Sequence, residues 1–381
     1  MEKIKLDIVG LSYSQTQSGA YALVLGESTG KRRLPIIIGG FEAQAIAIEL
    51  EKMTPSRPLT HDLFKNFADL FKINLTEVII YNLVEGIFFA KLICEHKGKE
   101  MKYDALVLEG GSLKCAFTAG VLDVFLDSEF PDFQYYYGVS SGAMAMSYYI
   151  AKQRQHFIKV SRELVENPEF LSYKNTFSNN GLMNLDFLKR YVHDTFPFNE
   201  DAAEENRLGK KVVIVATNHK TGKPHYLEPK KGKWHNYMMA SATLPIITKG
   251  RTEVDGIWMF DGGYSDSIPI KKAIADGAKN ILVIRTRPSD VKIEKSYVSL
   301  MAEYWNYDND NISDLFSMGY KHYNKCVDFL NGPKPEGINW VQIAPPKELR
   351  AEGYYLHVQD IDADYRLGLE IGLNFLSSLN S

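Results

Sequence analysis

The chain has 381 residues, 45% of them hydrophobic, with 44 basic and 47 acidic side chains for a net charge of −3. That length predicts two domains, and the near balance of charge excludes a surface built to neutralise phosphate backbones, so no nucleic-acid partner is expected. The three cysteines, Cys94, Cys115 and Cys326, lie far apart and outside any Cys-x-x-Cys or Cys/His pattern. This predicts neither a disulfide framework nor a structural zinc, and fits a reducing, cytoplasmic setting.

In chain order, the first hundred residues predict strands over Ile4 to Leu11, Tyr21 to Leu25 and Leu34 to Ile38, then a helix over Phe41 to Met53. Turn residues Thr54-Pro55-Ser56 precede a second helix over Pro58 to Leu70, and Glu77 to Leu83 with Ile87 to Cys94 predict a hairpin across Glu85-Gly86. Residues 1–100 therefore read as a small α+β domain. The segment Met1 to Asp7 lacks the apolar run of a secretory leader, and no stretch approaches the roughly 18 apolar residues of a spanning helix, so any membrane contact is expected to be peripheral.

After Met101 strands alternate with helices: Ala105 to Leu108, helix Thr118 to Leu126, strand Phe133 to Tyr137, helix from Ala143, strand Lys211 to Ala216, helix Lys271 to Asp276, strand Asn280 to Ile284. The alternation predicts an α/β domain over residues 101–381 with a mostly parallel sheet and helices on both faces. Ligands of such sheets bind beyond the carboxyl ends of the strands, where Gly110, Ser140 and the residue after Thr217 are expected.

Two segments fit Gly-x-Ser-x-Gly. Gly26-Glu27-Ser28-Thr29-Gly30 sits between two strand-like runs and reads as a hairpin turn, whereas Gly138-Val139-Ser140-Ser141-Gly142 joins a strand to a helix. The second context is that of a nucleophile elbow, with Gly138 and Gly142 leaving room for a sharp turn that exposes the Ser140 hydroxyl.

Gly110-Gly111-Ser112-Leu113-Lys114 follows the first strand of the α/β region and precedes a helix, so its N–H groups are candidates for an oxyanion hole. The competing reading is a phosphate loop, but neither Gly-x-Gly-x-x-Gly nor Gly-x-x-x-x-Gly-Lys-Ser/Thr is completed. A base for Ser140 is offered by Asp261 in Asp261-Gly262-Gly263, after the hairpin turn Asp255-Gly256. Desolvation by Trp258, Met259 and Phe260 is expected to raise its pKa and improve proton transfer. An Asx turn at Asp261 and a triad through His322 or His357 are the alternatives.

Leu106 to Gly111, Thr118 to Leu122, Gly138 to Gly142, Ala240-Ser241-Ala242-Thr243-Leu244-Pro245 and Asp261 to Pro269 together resemble the patatin-like phospholipases. The resemblance implies a three-layer α/β/α fold and a Ser140–Asp261 dyad cleaving lipid or small carboxylic esters. It implies no metal or organic cofactor. In the loop, a glycine, an arginine and a second glycine of the family are replaced by Ser112, Lys114 and Cys115. Residues 1–100 resemble the first part of the bifunctional nuclease domain, through Leu34 to Gly39, Phe41 to Ala47 and Arg57 to Asp62. The continuation is missing, and Met101 stands where a freestanding hydrolase would start, which suggests that two reading frames have been joined, by natural fusion or by an error in the gene model. The alternatives are a scaffold of little activity, associating through the N-terminal unit, and a metal-dependent nuclease using Glu42, His61 and Asp62. Against the nuclease, the first hundred residues carry 12 basic and 12 acidic side chains, a net charge of zero.

An aromatic-rich stretch holds Tyr297, Tyr304, Trp305, Tyr307, Phe316, Tyr320, Tyr323 and Phe329. It reads as a lid or acyl-chain wall, or as helical packing. Met144 and Met146 read as helix packing.

Overall fold

The computed structural model describes residues 3–13, 20–53, 55, 57, 59–70, 73–84, 87–96, 103–128, 130–171, 182–245, 247–248, 250–295, 309–352 and 356–380. The chain divides into two compact units, Met1–Glu100 and Met101–Ser381. The join at Glu100-Met101, the Glu85-Gly86 turn, and Tyr297, Tyr304, Trp305 and Tyr307 lie outside the described residues.

In the first unit, β1 (Leu6–Tyr13), β2 (Tyr21–Glu27) and β3 (Arg33–Ile38) form an antiparallel sheet in that order. The first Gly-x-Ser-x-Gly match lies at the β2–β3 connection, as its flanking runs predict. Helices α1 (Gly40–Leu50) and α2 (Thr60–Leu70) follow, then the two-stranded ribbon of β4 (Ile73–Val84) and β5 (Ile87–His96). Asp62 accepts the Leu59 N–H at 2.9 Å, so one of the candidate metal ligands serves the start of α2.

The second unit is built on an eight-stranded mixed sheet. Its strands are β6 (Ala105–Leu108), β7 (Tyr135–Val139), β8 (Lys211–Asn218), β9 (Pro224–Leu227), β10 (Thr252–Val254), β11 (Ile257–Asp261), β12 (Asn280–Ile284) and β13 (Asn339–Ile343). The order is β10-β11-β8-β7-β6-β12-β13, with β9 also paired to β8. The run β8-β7-β6-β12-β13 is parallel, while β9, β10 and β11 are antiparallel. Buried on both faces, β6 reads Ala-Leu-Val-Leu without a polar residue, as a central parallel strand must.

The helices are α3 (Cys115–Asp127), α4 (Ser141–Ile150), α5 (His156–Glu166), α6 (Leu185–Thr195), α7 (Glu200–Asn206), α8 (Trp234–Ala242), α9 (Ile270–Ala275), α10 (Asp310–Asn331) and α11 (Val358–Asn380). Alternate residues of each strand serve opposite cores. Tyr136 belongs to the core shared with α3, α4, α5, α8 and α11, whereas Tyr137 and Val139 belong to the core shared with α9 and α10. This is the three-layer α/β/α arrangement, with a small α+β unit before it. The hairpin joining β10 to β11 turns at Asp255 (φ 52°) and Gly256 (φ 78°), the paired positive values of a tight two-residue turn.

Candidate active site

Ser140 stands between the end of β7 and the start of α4, with φ 53° and ψ −131°. An L-residue rarely adopts this conformation, and the flanking glycines make it sterically possible. A Cβ on Gly138 would lie 2.6 Å from Ala143 Cα, and one on Gly142 would lie 2.5 Å from the Glu109 carbonyl oxygen. The strained backbone is also clamped: the Ser140 N–H donates to Ser241 Oγ at 2.7 Å, and Ser241 Oγ donates to the Val215 carbonyl at 2.5 Å. Ser241 thereby ties the elbow to β8.

Register brings Asp261 to the same level. Val139 pairs with Val215, so Ser140 follows at the height of Ala216, and Ala216 pairs with Asp261 along that same edge of β8, its opposite edge being taken by β9. The Asp261 carboxylate accepts the Gly263 N–H at 2.7 Å. Burial pushes its pKa up to about 6, and hydrogen bonding from the Ser140 hydroxyl and the Gly263 N–H works in the opposite direction. Met259 and Phe260 are buried as expected, but Trp258 is 44% exposed with Arg251 over its ring. Trp258 and Phe260 fall on the strand face opposite Asp261, so Met259 is the expected apolar neighbour that shares its face.

The glycine loop lies against Ser140: a Cβ on Gly110 would come within 2.9 Å of Ser140 Cβ. The N–H groups of Gly110 and Gly111 have no acceptor among the described residues. Ser112 has φ 54°, a left-handed value that glycine adopts without strain. Lys114 is committed elsewhere. Its N–H donates to the Gly111 carbonyl, and its buried ammonium lies 3.2 Å from Glu352. Its backbone is therefore part of the loop's frame rather than a free donor.

That frame extends through a buried polar network absent from the sequence reading. Glu109 Oε2 accepts Arg285 Nε at 2.8 Å and the Thr286 N–H at 2.9 Å, and Glu109 Oε1 accepts the Tyr323 hydroxyl at 2.8 Å. Thr286 Oγ1 donates to the Gly110 carbonyl at 2.6 Å. The loop is thus held by β12 and α10.

These groups open onto a cavity of about 620 Å³. Its walls are apolar, from Met144 and Tyr148 on α4, Phe157, Val160 and Leu164 on α5, Leu185, Leu188 and Val192 on α6, and Met238 and Met239 on α8. Charged Lys114, Arg287 and Glu352 also line it. Met144, read from sequence as helix packing, faces this cavity, whereas Met146 is wholly buried in the core. Of the aromatic stretch, Phe316 packs on Phe260 and Tyr264, Phe329 stacks on Trp340, and only Tyr320 and Tyr323 among the described residues reach the cavity. His322 and His357 are exposed and do not line it. Asn218, the residue after Thr217, instead accepts the N–H groups of Lys220 and Thr221 in a turn. No helix among the described residues is long and apolar enough to cross a membrane.

Comparison with known proteins gives three matching family models. They are the Bifunctional nuclease domain over residues 23–109, Patatin-like phospholipase over residues 106–274, and a Domain of unknown function over residues 310–381. Uncharacterized protein YjjU of Escherichia coli (strain K12) is 32% identical over 279 residues, 72% of this chain and 77% of that protein. Uncharacterized protein MT1877 of Mycobacterium tuberculosis is 44% identical over 92 residues, 24% of this chain, and the chain spans 56% of that relative's length. Among solved structures, VipD from Legionella pneumophila aligns with a TM-score of 0.38 and 13% identity, covering 86% of this chain and 72% of that one.

Proposed function

The chain belongs to the patatin-like phospholipase family, and from that premise we propose that it is a serine acyl hydrolase of lipid or other carboxylic esters working through Ser140 and Asp261. The observation that carries the reading is the strained Ser140 hydroxyl facing a buried carboxylate, Asp261, whose pKa is raised to about 6, at one end of an apolar cavity. In its ionised form Asp261 takes the Ser140 proton as Oγ attacks the ester carbonyl. A base tuned upward in this way is better matched to neutral pH than an ordinary aspartate. The N–H groups of Gly110 and Gly111 receive the oxyanion, a contribution typically worth about 3 kcal/mol per donor. Asp261 then protonates the departing alcohol, and water, activated by the same carboxylate, releases the acid from the acyl-enzyme.

The apolar walls suit a fatty acyl chain, and the charged residues suit contact with a polar head group at a lipid surface. The three cysteines are free thiols, which accords with a reducing, cytoplasmic location. The test is labelling by a fluorophosphonate probe together with turnover of a nitrophenyl ester and a lipid panel. Ser140→Ala is expected to abolish both labelling and turnover, while His322→Ala and His357→Ala leave them intact. A second reading, a binding scaffold, is favoured by Ser112 carrying a Cβ at a left-handed position in the loop. A folded protein that neither labels nor turns over ester would establish it instead.

A further inference from the structure

Helix α8 presents one stripe to the cavity: His235, Met238, Met239 and Ala242, at i, i+3, i+4 and i+7. Three of these are apolar, as an acyl-chain wall requires, and the first is not. His235 Nε2 is buried and has no hydrogen-bond partner. Burial pushes the imidazole pKa down to about 4, with Lys189 and His193 on α6 adding to the effect, so the ring is neutral at ordinary pH. A buried polar atom left unpaired is destabilising, a penalty that a leucine or methionine at this position would avoid. Seven residues of helix separate His235 from Ala242, about 10 Å along the axis. The end near Ala242 is the end at which Ser241 holds the nucleophile's N–H.

Resting on the acyl-hydrolase reading of this cavity, we propose that His235 is a specificity residue at the far end of the acyl site, selecting chains that carry a hydroxyl group at that depth. A hydroxyl both donates and accepts, so it satisfies Nε2 in either tautomer of the ring. A plain alkyl chain leaves the nitrogen unpaired, and sites built around a polar group discriminate against analogues that lack it.

The test is calorimetric titration of the full-length Ser140→Ala protein with ω-hydroxydecanoate and with decanoate, a readout that does not need turnover. The hydroxy acid is expected to bind roughly fivefold tighter. His235→Leu should erase the preference, and His235→Gln, which keeps a polar group there, should retain it. Equal affinities, binding of neither acid, or a preference that survives His235→Leu overturns the proposal. The corresponding nitrophenyl esters should give the same ratio in kcat/KM with Ser140 present. If esters are not hydrolysed while the binding preference holds, the enzymatic reading fails and the hydroxyl-selective site stands.

Discussion

Among the described residues, those after Met101 bury most of their large apolar side chains, while those of the first unit leave most of theirs at the surface. Trp234, Phe117, Phe125, Phe133 and Phe260 are less than 2% exposed, whereas Phe41 is 88% exposed, Val78 65% and Ile87 63%. In the first unit the buried hydrophobic residues among those described are Ala43 and Ala68. Its ribbon pairs Val78 with Leu92, Ile80 with Ala90 and Leu83 with Phe88 along one face, an apolar surface on a two-stranded sheet that is marginal by itself. The second unit thus specifies its own fold. The first leaves its described apolar side chains largely uncovered, and the chain spans 56% of the mycobacterial relative that this unit matches.

The sharpest test of that contrast uses activity. A fragment of residues 101–381 should unfold cooperatively and hydrolyse nitrophenyl esters at the rate of the full chain, and Asp261→Asn should lower kcat on the order of a thousandfold in both. A fragment 1–100 should show no cooperative melting transition by circular dichroism, and a sharp one would break the comparison.

Next in size is the response to pH. Rate should rise with pH through about 6 as Asp261 ionises. Stability should move the other way: the folded protein holds the Asp261 proton more tightly than the unfolded chain, so stability is fully present below 3.8 and is lost as pH rises through about 6. That displacement corresponds to about 3 kcal/mol. Asp261→Asn should remove the dependence and melt higher than the parent at pH 8, while the two converge near pH 4.

Smaller still, Tyr323→Phe deletes the hydrogen bond donated to Glu109 and the one accepted from Arg285, and should cost roughly fivefold to tenfold in kcat, with KM little changed because the ring that lines the cavity is kept. The smallest effect is expected of Ser112→Gly, which relieves a left-handed residue and should stabilise the second unit by about 1 kcal/mol in denaturant titration.

Much of this was legible in the sequence where chemistry is local. The elbow, the glycine loop and the hairpin turns each rest on a few adjacent residues, and Asp261 stands out as a candidate base through the following Gly-Gly. Ser241 sits in a segment that was recognised, but its bond to the Ser140 N–H spans a separation of 101 residues and leaves no local mark. The same holds for Glu109, Arg285 and Tyr323, which three different elements bring together. The cavity helices were readable and not read: Phe157, Val160 and Leu164, and likewise Leu185, Leu188 and Val192, repeat at i, i+3 and i+7. Trp258 misled because apolar character says nothing of which strand face a residue takes.

On the acyl-hydrolase reading, the Ser241 clamp sets when the protein can begin to work. Its partners come from β7, β8 and α8, so no early, locally ordered species can present an attacking oxygen. Recovery of esterase signal after dilution from denaturant should therefore lag behind the return of helical ellipticity, making turnover a clock for the last long-range closure of the sheet.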